Sequence, residues 1–312
     1  MCGVEAERSL DSGLQARSVD IQLSSAQSQR ATRASPGPAS SFTIRVAIVW
    51  AAILACIVAF LATIGLDVAF MREWWGFIVY GAGTPEVLRV GLLMTLYISV
   101  ASIALATVFA FFGALGRLSK NPLAYGAATF YVSLIRGTPF LIQIFLLFFG
   151  LPQINQQLNR LIPGFDQQYP LISNLLLLPA VPTGILALAI NYGAYMTETF
   201  RAGIQSIGKG QSEAAYALGM SPWQTMRYII LPQAFRVVIP PVGNEFIAMT
   251  KDSALVSVIG VQELLWRAQK VGQQYFHSME TLLIAAAFYW IMTIALQAAQ
   301  SRIERRLARS DR

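Results

Sequence analysis

Residues 90–116 read VGLLMTLYISVASIALATVFAFFGALG, 27 residues between Arg89 and Arg117 without one charged side chain. A helix rising about 1.5 Å per residue crosses the roughly 30 Å hydrocarbon layer in about 20 residues, so this stretch is long enough to span a bilayer. A soluble core has no need of such a run. Working outward, Val46–Leu66 supplies 21 more charge-free residues, and Leu118–Ile135, Gln167–Thr197 and Leu282–Ser301 add further candidates. Of all 312 residues, 55% are apolar and only 12% charged, about half the charged share of a soluble domain. The fold class is an all-α polytopic membrane protein.

The pattern predicts about six helices, near 46–66, 90–114, 124–150, 182–201, 236–259 and 281–300. The fifth is interrupted by Arg236, Glu245, Lys251 and Asp252. Six spans bring both ends to one side. With the amino tail inside, 17 of the 23 Lys and Arg residues fall on that side and 6 lie outside or at membrane depth. The positive-inside rule therefore assigns both tails and residues 202–232 to the cytoplasm. Residues 1–41 are rich in Ser, Ala, Gln and Arg; they bury too little apolar surface to offset ordering entropy and read as a disordered tail. The first apolar run is too long for the h-region of a signal peptide. Residues 67–89 read as an outer connection whose Trp74 and Trp75 suit the headgroup boundary, and 151–180 as a compact outer loop.

Several function classes drop out. The net charge of +7 is spread over short connections and tails without an aromatic-interleaved basic patch, so no nucleic-acid partner is expected. Cys2, Cys56 and the single His277 are too scattered for a disulfide framework or a zinc site; His277 reads as a solvated residue of an outer connection. No nucleophile–base constellation emerges, so the chain is expected not to be an enzyme. Gly203–Lys209 fits the opening of a phosphate-binding loop, but Gly210 stands where a magnesium-holding hydroxyl belongs and no strand precedes it. No cofactor is expected on this chain.

Residues 211–232 read QSEAAYALGMSPWQTMRYIILP, a polar corner between apolar runs. Ser212 can cap a helix, Glu213 suits the positive end of its dipole, and Gly219 suits a left-handed cap. Ser221, Pro222 and Gln224 form a capping-box pattern for a second helix, which Pro232 is expected to end. Ala214 and Ala215 permit close approach to another surface, while Tyr216 and Leu218 can anchor in a pocket. The spacing is specific: Glu213-Ala214-Ala215, three residues to Gly219, nine to Ile229, then Leu231-Pro232. It resembles the EAA loop of ABC-importer permeases.

Further segments narrow the likeness to the polar-amino-acid uptake permeases. Arg136-Gly137-Thr138-Pro139-Phe140-Leu141-Ile142-Gln143 looks like that group's RGTP segment. Residues 193–204, Gly210–Glu213, Asn244–Ile247 and Lys251–Leu255 continue the similarity, which covers about 87–300. Ser253-Ala254-Leu255 departs from the Thr-Ser-Leu common in that group. The resemblance implies a permease domain at 87–300, preceded by a tail (1–41) and an extra helix with its connection (42–86), and followed by a basic tail (301–312). It implies a bacterial plasma (inner) membrane, with both termini cytoplasmic. It further implies four partners: a cytoplasmic ATPase dimer that binds ATP and Mg, a second permease subunit, an extracytoplasmic substrate-binding protein, and a polar amino acid as cargo. Glu213, Ala214, Ala215, Tyr216, Leu218, Gly219, Leu231 and Pro232 would form the ATPase-coupling surface.

Charged groups at membrane depth are costly and default to functional candidates. Asn191, Tyr195 and Glu198 fall at i, i+4 and i+7, with Arg201 three beyond Glu198; Asn244 and Lys251 share one face, and Glu245 and Asp252 the adjacent one. A zwitterionic amino acid needs an acceptor for its ammonium and a donor for its carboxylate, and these faces can supply both. The competing account is that they pair with one another or with the partner subunit to fix helix packing. The rival function is an ion-gradient-driven secondary transporter. It would call for inverted repeats; no internal similarity is seen, and Pro240-Pro241 is the one interruption that suits it.

Overall fold

The computed structural model describes residues 39–83 and 91–309. Of the expected tail at 1–41, residues 1–38 lie outside them and 39–41 already belong to the first helix; residues 84–89 of the first outer connection and 310–312 of the basic tail also lie outside. The chain divides into two compact units, one ending at Leu66 and one beginning at Asp67. The first holds α1 (Ala39–Thr63), which includes an apolar span at Phe42–Thr63 of mean hydropathy 2.7.

In the second unit, α2 (Val68–Tyr80) is capped by Asp67, whose carboxylate accepts from the Phe70 amide at 2.9 Å. The connection expected at 67–89 thus contains a packed helix. Ile78 and Val79 of α2 cluster with Leu264, Ala268, Val271, Ile284 and Ala285, and Trp74 meets Tyr275 at 4.6 Å. Of the two tryptophans expected at the headgroup boundary, Trp74 is partly packed, while Trp75 stays largely exposed and stacks on Phe288.

Next come α3 (Gly91–Leu118), α4 (Pro122–Arg136) and α5 (Phe140–Leu161), the last containing a π-helical turn at Leu146–Gly150. The sequence reading took 124–150 as one helix. Instead α4 and α5 meet at 108°, because Pro139 offers no amide and disfavours helical backbone at Thr138. Gln143 braces this joint: its amide donates to the Ile135 carbonyl at 2.8 Å and to Thr138 Oγ1 at 2.9 Å. The expected loop at 151–180 is largely helical, comprising the end of α5, α6 (Phe165–Gln168) and α7 (Pro170–Leu176).

A second joint, of 79°, leads from α7 into α8 (Ala180–Gln205). The pair α3 and α8 forms the main core, with Ile98, Ala106, Ala110, Ala114, Ala187, Leu188, Ala189 and Met196 buried between them and their neighbours. Small residues let the backbones approach, as in membrane helix pairs generally. Gly193 marks one such close approach: a Cβ there would meet Phe109 Cβ at 2.7 Å and the Tyr131 hydroxyl at 2.8 Å.

The chain continues with α9 (Lys209–Ala217), α10 (Pro222–Thr225), a π-helical turn at Met226–Ile230 and α11 (Leu231–Asp252). A 3-10 turn at Ser253–Ile259 leads to α12 (Leu264–Tyr275) and α13 (Ser278–Arg309). Among the described residues, three helices are long and apolar enough to cross a membrane, in α1, α3 and α13, or up to five if each bent pair is one span. The expected fifth span at 236–259 is α11 followed by the 3-10 turn; α11 is long, but carries Arg236, Glu245, Lys251 and Asp252.

Candidate functional site

The corner at 211–232 is built differently from its local reading at two points. Helix α9 starts at Lys209 behind Gly208, so Ser212 and Glu213 lie beyond its first residues and do not cap it. Pro232 does not end the second helix. The π-helical turn pairs the Leu231 amide with the Met226 carbonyl, and Pro232 follows it inside continuing helical backbone that the turn widens locally. Helical backbone therefore runs without interruption from Pro222 to Asp252.

The left-handed cap and the second helix's capping box follow the local reading. Gly219 has φ +77 and follows the end of α9. Ser221 Oγ accepts from the Gln224 amide at 3.3 Å, while Gln224 Oε1 accepts from the Ser221 amide at 2.8 Å, a complete capping box. Ala215 is buried, whereas Glu213, Ala214, Tyr216, Leu218 and Gly219 are exposed, Leu218 at 83%. Trp223 and Tyr228 are exposed too, at 67% and 62%, and extend the apolar face. The local reading passed over both because it stopped at the cap. Leu231 packs inward on the cluster of Ile204, Ile230 and Ala234, and Pro232 is exposed. Gly203, the first glycine of the phosphate-loop pattern, lies inside α8 where a Cβ would strike Val238. Its smallness serves helix packing.

A second site lies where α5, α8 and α11 converge. A cavity of about 300 Å³ is lined by Thr138, Pro139, Phe140, Asn191, Tyr192, Tyr195, Glu245 and Asp252. Four of the expected pathway residues, Asn191, Tyr195, Glu245 and Asp252, are thus brought together. The Tyr192 hydroxyl donates to Asp252 at 2.8 Å, and Asn191 donates to Gln143 Oε1 at 3.0 Å. The Arg136 guanidinium sits over the Tyr195 ring, 5.0 Å from its centroid. Pro139 caps α5 without a side-chain hydrogen bond, and the Ile142 and Gln143 amides turn to the Pro139 carbonyl. That leaves the Phe140 and Leu141 amides without helical partners, Phe140 at the cavity wall. One cavity therefore presents two carboxylates and the positive end of a helix. A larger groove of about 590 Å³ between α3 and α4 is lined by Phe109, Phe112, Gly113, Ala124 and other mostly apolar residues; it offers little to a charged molecule.

Three candidates stand apart from the cavity. Glu198 accepts from Arg201 at 2.7 Å and from Arg117 of α3 at 3.1 Å, an ion-pair network in which only the Arg201 half was legible by spacing. Asn244 accepts from Gln300 of α13 at 3.0 Å, and Lys251 is exposed. His277, expected to be solvated, stacks on Phe70 at 4.1 Å and faces Glu280 at 3.3 Å. Phe70 captures it because α2 packs there, which hydropathy did not reveal. Tyr192 lines the cavity without having been a candidate, and Gln143 supports it from behind by accepting from Asn191. Tyr192 reads as one more core aromatic, and Gln143 shows its role only once the chain bends.

Residues 106–309 match the family described as binding-protein-dependent transport system inner membrane component. The L-cystine transport system permease TcyB of Bacillus subtilis is 39% identical over 225 residues, covering 72% of this chain and 87% of its own length. The arginine transport system permease ArgU of Corynebacterium glutamicum is 36% identical over 282 residues, covering 89% of this chain and 86% of its own. That alignment is longer than the stretch from 87 to 312, so it reaches back toward α1. A solved amino acid ABC transporter chain, crystallised with histidines, superposes with a TM-score of 0.63 at 34% identity, covering 77% of this chain and 99% of that one.

Proposed function

This chain belongs to the family of binding-protein-dependent transport system inner membrane components, as an ABC-importer permease of the polar amino-acid uptake group, and from that premise we propose how it works. Residues 211–232 take the stroke of a separate cytoplasmic ATPase, and the cavity beside Tyr192, Glu245 and Asp252 receives the amino acid. The permease domain is 87–300. It works with a second permease subunit, two ATPases and an extracytoplasmic binding protein, in a bacterial inner membrane with both termini in the cytoplasm.

The observation that carries the coupling reading is the exposed apolar face of the corner. Tyr216, Leu218, Trp223 and Tyr228 all stand out of a surface where Ala215 is buried. Full burial of each such side chain is worth about 1.5–3 kcal/mol, so a cleft on the ATPase has a firm hold. Because helical backbone runs from Pro222 to Asp252, a displacement of the corner carries along the helix bearing Glu245 and Asp252. The stroke and the cavity share one lever.

The cavity's charge pattern supports an amino acid as cargo. Glu245 and Asp252 complement an ammonium, and the open N-terminus of α5 with Thr138 complements a carboxylate. Broken transporter helices that aim a half-helix N-terminus at a substrate carboxylate follow the same physics. Coupling is tested by placing a cysteine at Leu218 and cross-linking to the ATPase. A high yield that changes when ATP is added is expected; no cross-link in an assembly competent for transport refutes the docking. Uptake that persists without ATP and stops when the ion gradient is dissipated would restore the secondary-transporter reading.

A further inference from the structure

The carboxyl end of α13 continues as helix past the last residue of its charge-free run, Ser301. Arg302, Arg305 and Arg306 follow at i, i+3 and i+4, so they share one face. All three are exposed. None has an ion-pair partner among the described residues, and the neighbouring Glu304 accepts from Gln300 at 2.9 Å. Gln300 also reaches the Pro240 carbonyl at 3.1 Å, which fixes the side of α13 that packs on α11. On a wheel of about 100° per residue, the arginines point largely away from that side.

Their height along the helix matters as much as their direction. The charge-free run Leu282–Ser301 is 20 residues long, the length that fills the hydrocarbon layer. Arg302 comes next and Arg306 lies about 6 Å further along the axis. The headgroup layer occupies roughly 5–8 Å on each side of the hydrocarbon. The stripe therefore stands at the level of the lipid phosphates.

We propose that Arg302, Arg305 and Arg306 form a binding surface for anionic phospholipid headgroups in the leaflet where α13 ends. Lipid phosphates are the occupants favoured by charge, by depth and by direction, since the helix enters the stripe directly from the bilayer without a turn. Basic residues beside a membrane helix bind anionic headgroups with a gain of about fivefold each.

The test titrates the purified full chain with phosphatidylglycerol and with phosphatidylcholine and counts retained lipid by native mass spectrometry. Phosphatidylglycerol should be preferred, less so at raised salt. The preference should fall about 100-fold in R302Q/R305Q/R306Q, following from about fivefold per arginine, and survive in R302K/R305K/R306K. Equal retention of both lipids by the unmodified chain overturns the proposal, as does an undiminished preference in the glutamine variant. A glutamine variant that keeps its lipid preference but loses the ATPase on purification also overturns it, and assigns the stripe to a protein partner.

Discussion

Arg117 and Glu198, 81 residues apart in sequence, meet at 3.1 Å where the far end of α3 passes α8. Arg117 also donates to Thr129 of α4 at 2.8 Å, and Glu198 also holds Arg201. One carboxylate thus ties α3 and α4 to the end of α8 that leads into α9. Both side chains keep about a fifth to a quarter of their surface exposed, at 21% and 24%, so screening limits what the pair contributes. A double-mutant cycle of R117Q and E198Q, read by thermal unfolding of the purified protein, should give a coupling of about 1 kcal/mol that shrinks with salt. Strict additivity of the two substitutions would mean the contact is geometric only.

Gly219 separates conformation from space. A Cβ there meets nothing within 4 Å, yet φ is +77. A β-branched residue must therefore either strain by about 1–2 kcal/mol or rebuild the corner. Gly219→Val is expected to insert into the membrane normally and to lose most ATP-coupled uptake. Gly219→Asn, which tolerates the left-handed region, should retain most of it. Equal uptake by both variants would show that the corner's shape is immaterial to coupling.

Glu263 is wholly buried and holds together three helices. Its carboxylate accepts from the Leu265 and Trp266 amides at 2.8 and 2.6 Å and from the Tyr289 hydroxyl at 2.5 Å, and Thr95 Oγ1 lies at 3.5 Å. Glu263→Ala strands several buried donors, each costing about 1–3 kcal/mol, so a loss of about 3 kcal/mol or more is expected in thermal unfolding. Tyr289→Phe removes one stranded donor and should recover part of the loss in the Glu263→Ala background, although it destabilises the protein with Glu263 intact. A second substitution that always adds to the damage would count against this reading.

What could be read in the sequence follows from what one dimension records. The runs at Val46–Leu66, Val90–Gly116 and Leu282–Ser301 are lengths without charge, and length is visible without a fold. The capping box at Ser221 and the left-handed Gly219 are local chemistry and were equally legible. Direction was not. The single helix expected at 124–150 runs straight through Arg136–Pro139, so the 108° joint that opens the cavity stayed hidden although Arg136 and Pro139 were in plain view. Pro232 does not end its helix, because the π-helical turn just before it lets helical backbone continue through the proline, which the residue type alone does not reveal. Asn244 and Glu245 are adjacent, yet one faces Gln300 and the other the cavity. Only packing against α13 and α8 separates them.

The carboxylates at the cavity give the sharpest prediction for cargo. Asp252 accepts from Tyr192 at 2.8 Å and lines the cavity with Glu245. Asp252→Asn keeps an oxygen for the tyrosine hydroxyl and removes only the charge, whereas Tyr192→Phe keeps the charge and removes the hydroxyl. If the carboxylate meets an ammonium, a charge-assisted bond worth about 1.5–3 kcal/mol is lost in Asp252→Asn. Uptake at low substrate should then fall by roughly ten- to a hundredfold. Tyr192→Phe should cost less, because it frees the carboxylate for the substrate while loosening its position. Uptake by reconstituted vesicles loaded with ATP, measured together with thermal unfolding, distinguishes this from damage to the fold. An Asp252→Asn protein of unchanged stability that transports as well as the unmodified one would show that the charge is structural, with the cargo passing elsewhere.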